Sequence, residues 1–176
     1  IDVLTIGNAI VDVIAQVDDA FIAREGLVKG SMNLIDEARA EQLYAHMGPA
    51  TESSGGSAGN TAAGVASFGG RAAYCGKVRN DQLGGIYRHD MRAQGVLFET
   101  PAAGTGPATA RSFILVTPDG ERTMNTYLGA CVNLDAQDVD EAVVKAAQVT
   151  YMEGYLYDKP AAKAAFRAAA TMARGA

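Results

Sequence analysis

The sequence predicts an α/β protein: a mostly parallel sheet covered by helices, with a smaller sheet set apart from it. Three observations carry this. Short apolar, β-rich runs alternate with longer helical patterns along the chain, the signature of βα units. Two strand-rich stretches, about 11–35 and 96–131, interrupt that alternation. Gly55-Gly56 runs straight into an Ala-rich apolar segment that closes at Gly69-Gly70, as in a sharp strand-to-helix turn.

In order, Val3 to Ile6 is a buried central strand. The β-branched run Val11 to Val17 is a second, ended by Asp18-Asp19, and Ser31 to Ile35 a short third. Asp36 is placed to cap a helix over 37–47, with Ala40, Leu43, Tyr44 and Met47 on one face. Asn60 to Phe68 is the next helix and Ala72 to Val78 an apolar strand. Asp81 caps a helix from about Gln82 to Gln94, which Gly95 stops. Val96 to Thr100, Thr109 to Thr117 and Thr123 to Tyr127 read as strands, the last two joined by a Pro118-Asp119-Gly120 turn. Asp135 caps a helix through Ala147, Val149 to Met152 is a strand, and Asp158 with Pro160 opens an Ala-rich helix.

Composition narrows the function. With 176 residues, 48% hydrophobic and 20% charged, the chain is long enough for a real core. Lys plus Arg is 15 and Asp plus Glu is 20, so the net charge is −5. That balance, with no basic run, speaks against nucleic-acid binding. No stretch approaches the ~20 apolar residues of a membrane span. Cys75 and Cys131 are far apart with no CxxC partner and read as reduced, buried thiols of a cytoplasmic protein. The two histidines, His46 and His89, give no zinc spacing.

The chemistry gathers at Gly55, Gly56 and Asn60. Paired glycines let a ligand approach backbone N–H groups, the following helix aims its first N–H donors at the same place, and Asn60 adds a carboxamide. A tight turn with no ligand is the plain alternative. The Gly-Gly pair with Asn60, Ala62 and Gly69, the opening Gly7-Asn8 with Asp12, and Gly76-Lys77 with Asp81 and Gly84 stand in one order and spacing. In that order they resemble the PfkB family of carbohydrate and nucleoside kinases, the ribokinase-like superfamily, adenosine kinase-like members most of all. The resemblance spans essentially the whole chain and covers only the first half of such a kinase. Arg79 departs from it, standing where the family has Gly.

The resemblance implies a ribokinase-like fold: a Rossmann-like three-layer α/β/α core (1–10, 36–95 and 132–176) and a β-sheet lid (11–35 and 96–131), with substrate between them. It implies ATP-dependent, Mg²⁺-dependent phosphorylation of a hydroxyl of a sugar or nucleoside, and a homodimer through the lid. It assigns Asp12 to a vicinal diol of the substrate. For Asn8, substrate binding and support of the Gly7 turn both stay open. Ser112 and Leu128 are candidate lid contacts. Tyr155 is either a stacking partner or a core residue. Arg122 is either a surface residue on the hairpin or a contact to the transferred phosphate. Asp81 reads as a helix cap and Lys77 as a solvated strand end. The family's Gly-Ala-Gly-Asp motif, which holds the catalytic base and anion hole, does not occur in these residues. The chain is thus expected to hold the substrate half and lid. A non-catalytic binding module is the competing class.

Overall fold

The computed structural model describes residues 1–175. Among the described residues eight strands form: β1 Val3–Ile6, β2 Ile10–Gln16, β3 Met32–Leu34, β4 Thr51–Gly55, β5 Ala72–Cys75, β6 Ala110–Val116, β7 Arg122–Tyr127 and β8 Val149–Met152. Six α-helices alternate with them: α1 Asp19–Arg24, α2 Glu37–His46, α3 Ser57–Ser67, α4 Gln82–Ala93, α5 Glu141–Ala146 and α6 Pro160–Arg174. The strands make two sheets, a parallel one ordered β5-β1-β8 and a mixed one ordered β3-β7-β6-β2-β4.

Strands β5 and β1 of the parallel sheet are covered on both faces, as is usual for parallel sheets, whereas the edge strand β8 leaves Val149 and Tyr151 exposed. Along β5 the residues alternate between two cores. Ala72 and Tyr74 join Ala58 and Ala62 of α3 and Tyr87 and Met91 of α4. Ala73 and Cys75 join Leu4, Ile6, Val144 of α5 and Phe166 of α6. This is a three-layer α/β/α arrangement. The first core runs on under the mixed sheet, where Val11, Val13, Phe113 and Leu115 meet Phe21 and Ile22 of α1 and Ala40 and Leu43 of α2. The opposite face of the mixed sheet is open, with Ile14, Met32 and Leu34 exposed. Among the described residues no helix is long and apolar enough to cross a membrane.

Helix starts follow the carboxylates. Asp36 accepts from the Arg39 N–H and Asp81 from the Gly84 N–H, both at 2.8 Å. Elsewhere the structure corrects the sequence expectation. Asp18 does not merely end a strand: it caps α1 through the Phe21 N–H. The helix expected over 135–147 is two pieces. Asp135 and Asp138 close a capping box on a 3₁₀ turn at Ala136–Asp138, and Asp140 caps α5 anew. Lys159, not Asp158, is the residue before Pro160 at the start of α6. The run 96–100 is not a strand of the lid; Leu97 bridges Ala73 in parallel beside the core sheet. Conversely β4, placed with the core from sequence, pairs antiparallel with β2 in the mixed sheet. The boundary between the two sheets therefore falls at Gly55-Gly56. Cys75 and Cys131 are free and buried, and burial pushes the Cys75 thiol up to about 11.

Candidate functional site

Four short segments converge where β1 ends, β2 begins, β4 meets α3 and β8 ends. They carry Asn8, Asp12, Gly55-Gly56 and Glu153. Register puts Asp12 of β2 opposite Ser53 of β4 and Ser112 of β6, and Ser112 opposite Thr126 of β7. Cross-strand partners share a face, so these four make one polar row on the open face. Ser112 and Thr126 share a hydrogen bond of 2.8 Å between hydroxyls. Two residues along each strand lies the next row on that face: Ile14, Ile114, Met124 and, across β3, Met32. A polar row with a carboxylate thus borders an apolar strip.

Gly55 and Gly56 are glycines because of what lies against them. A Cβ on Gly55 would strike the Asp12 carboxylate, and one on Gly56 the backbone oxygen of Asn8. Gly56 also has φ +81°, open to side chains only at a cost. The Asp12 carboxyl is half-buried, and burial, with no cation to offset it, raises it to about 6.

Beneath this floor sit two buried tyrosines. Tyr74 Oη donates to Gly7 O at 3.0 Å and Tyr87 Oη to Gly55 O at 3.1 Å, and the rings lie 5.8 Å apart. Each phenol fixes the carbonyl of one loop, and burial raises the pKa of both. Cβ atoms at Gly76 and Gly59 would collide with the two hydroxyls, which accounts for Gly76 of the sequence pattern and for Gly59 within α3. Tyr87→Phe is expected to cost about 1–2 kcal/mol of stability, because the Gly55 carbonyl loses its buried donor. Thermal unfolding checks this; an unchanged midpoint would show that the bond does not hold the turn.

Glu153 is the residue the sequence reading passed over. It is 3% exposed, and its two oxygens accept from Asn8 Nδ2 at 3.2 Å and from the Ala58 N–H at 2.9 Å. The N-terminus of α3, whose N-cap Gly56 offers no side-chain bond, is capped from 95 residues downstream. One of the helix N–H groups expected to face a ligand is therefore already occupied. The available signal was a charged side chain ending an apolar strand, which is rarely buried without partners.

The other expected residues separate. Asn60 sits on the exposed first turn of α3. Leu128 is half-buried and its carbonyl accepts the Cys131 thiol. Tyr155 is 80% exposed, so the core alternative is wrong. Arg122 pairs with Val116, and Val116 with Gln16. It stands four residues beyond the Asp12 row, roughly 13 Å along the strands, and is not brought to the others. Lys77 is not a solvated strand end: its ammonium pairs with the buried Asp138 carboxylate. At Arg79 the turn is held by Thr109 Oγ1, which accepts the Arg79 N–H at 3.0 Å. Arg79 is absent from the positive-φ positions, all of them glycine among the described residues. A separate cavity of about 300 Å³ opens on the far side of the core sheet, between Leu4, Cys75, Leu97, Val139 and Val144; Asn8, Asp12, Gly55-Gly56 and Glu153 do not line it.

Comparison with known proteins matches residues 2–176 to the pfkB family carbohydrate kinase model. The chain belongs to the pfkB family of carbohydrate kinases. Among solved structures it is similar to the adenosine kinase of Sinorhizobium meliloti, at 64% identity and a TM-score of 0.91, over 99% of this chain and 53% of that one. A probable sugar kinase protein from Rhizobium etli CFN 42 matches at 60% identity and a TM-score of 0.91, again over 99% and 53%. Guanosine-inosine kinase of Escherichia coli (strain K12) is 29% identical over 161 residues, 88% of this chain and 37% of its own length. The two sheets are thus those of ribokinase-like adenosine kinase structures, and the chain spans about half the length of these pfkB relatives' structures.

Proposed function

We propose that this chain supplies the acceptor-binding half and lid of an ATP-dependent kinase that phosphorylates a hydroxyl of a nucleoside. The observation that carries the nucleoside reading is the pair of rows on the open lid face. Asp12, Ser112 and Thr126 suit the hydroxyls of a sugar, since an ionised carboxylate accepts two O–H donors. The apolar row Ile14, Ile114, Met124 and Met32 beside it suits a flat base, which a free sugar lacks. The 64% identity to an adenosine kinase supports the same reading. A sugar kinase is the second reading, supported by the 60% identity to a probable sugar kinase.

Family membership brings ATP and Mg²⁺ into this proposal. Among the described residues no three His, Cys, Asp or Glu side chains come together as a metal-binding group. The role proposed for this chain is to bind and orient the acceptor, which in phosphoryl transfer is a large share of the catalysis. The test is ADP release by the full-length protein with ATP, Mg²⁺ and a panel of adenosine, inosine, guanosine, ribose and fructose. Nucleosides are expected to lead in kcat/KM by at least about tenfold, the scale of one well-placed contact. A lead by ribose or fructose would establish the sugar reading. Binding without turnover of any member would overturn the kinase assignment in favour of a binding module.

A further inference from the structure

We infer that Glu153 is a positioning residue that sets the hydrogen-bond polarity of the acceptor site by holding Asn8 in one orientation. The inference rests on the acceptor-site reading above, and its carriers are geometric. The backbone of Glu153 is fixed to the end of β1, its N–H donating to Ile6 O at 2.9 Å. Its carboxylate is wedged between the Gly7-Asn8 turn and α3; a side chain at Gly7 would collide with it. A carboxylate offers acceptors only. With the Ala58 N–H on one oxygen and Asn8 on the other, Asn8 has to turn its Nδ2 inward. Its acceptor end, Oδ1, is thereby turned away from Glu153, is buried and has no partner within the chain; the second Nδ2 proton stays on the nitrogen drawn toward Glu153.

Two consequences follow. Asn8 acts in the site as an acceptor, so the ligand group that meets it has to be a donor, an O–H or N–H. Asp12 on the next strand is also an acceptor when ionised. The pair together selects a ligand with two donor hydroxyls and disfavours ethers or phosphate esters at the same positions. Glu153 also ties the two loops into one unit, so that Asn8 and the Gly55-Gly56 turn keep a fixed spacing.

The experiment compares nucleosides with their 2′-deoxy and 3′-deoxy analogues by calorimetry on full-length wild type, Glu153→Gln and Asn8→Ala. Glutamine has nearly the same shape but carries one donor end, so it cannot accept from both Asn8 and Ala58. In wild type, deletion of the hydroxyl that meets Asn8 is expected to weaken binding by about tenfold or more. In Glu153→Gln the same deletion is expected to matter less than about threefold, as in Asn8→Ala. A purely structural Glu153 would lower the melting temperature and weaken all ligands alike with the wild-type ratio preserved, and that result overturns the inference. Should Glu153→Gln not fold, amide exchange in the wild type decides. The Asn8 Nδ2 protons are expected to be protected relative to those of exposed Asn60, and equal exchange overturns the inference. If Asp12→Asn also leaves every affinity unchanged, the acceptor-site reading itself fails; if only the Glu153 ratio fails, that reading stands.

Discussion

Alanine at position 56 is expected to destabilise the protein by about 2–6 kcal/mol and to lower its melting temperature by on the order of 10 °C. Two costs add. The backbone at Gly56 has φ +81° and ψ 141°, a region that only glycine enters freely, at about 1–3 kcal/mol for other residues. The new methyl would also meet the Asn8 carbonyl. Backbone cannot swing aside as a side chain can, so overpacking adds about 1–3 kcal/mol. For a chain of this size each kcal/mol moves the midpoint by roughly 2–4 °C. Gly64, in the same helix, has open space around its Cβ position and no positive φ. Gly64→Ala is therefore expected to be neutral or to stabilise by up to about 1 kcal/mol. Thermal unfolding of the two variants side by side checks both. Equal midpoints would mean that the turn between β4 and α3 relaxes freely and holds no fixed geometry for a ligand.

That contrast also shows what could be read from sequence. The Gly55-Gly56 turn was legible because glycine in pairs has few other uses, and the caps at Asp36 and Asp81 because an acidic side chain before an amphipathic run has a local job. Strand β4 was not legible. Its sequence, Thr-Glu-Ser-Ser-Gly, has no apolar residue. It is a strand because β2 offers it an edge and Asp90 of α4 accepts the Ser54 N–H, both set by distant sequence. The same holds for Glu153, whose partners lie 95 and 145 residues away. Tyr74 lies in the apolar strand expected over 72–78 and Tyr87 in the helix expected over 82–94; only the fold shows that their hydroxyls reach two loop carbonyls. Local chemistry marks turns and caps, whereas a residue that braces a site across the chain leaves at most a charged side chain at the end of an apolar run, with nothing local to name its partners.

Asp12→Asn is expected to trade affinity for stability, in opposite directions at the same pH. Asp12 stands at about 6 in the folded protein against 3.8 for a free aspartate, raised by burial. Between those values the folded state binds more protons than the unfolded one, so stability falls as pH rises from about 4 to about 6. Above that window the ionised carboxylate is a standing cost. The full shift would correspond to about 3 kcal/mol; with the side chain partly open to solvent, about 1–2 kcal/mol is the expected size. Asparagine has the same shape and no charge, so the variant is expected to be more stable by that amount at pH 7.5 and to match wild type near pH 4. Binding moves the other way. An ionised carboxylate accepts two hydroxyls in charge-assisted bonds, whereas an amide presents one acceptor and one donor. Nucleoside affinity at pH 7.5 is expected to fall by about 10- to 150-fold, corresponding to about 1.4–3 kcal/mol. Wild-type affinity should itself decline below pH 6, approaching tenfold per unit as the carboxylate is protonated, while that of the variant stays flat. Thermal unfolding from pH 4 to 8 and calorimetric titration of the full-length protein over pH 5 to 8 read both effects. A variant with wild-type affinity and a flat stability difference would remove Asp12 from the acceptor site. A variant that gains stability and loses affinity would show a carboxylate kept half-buried at the expense of the fold because the ligand requires it there.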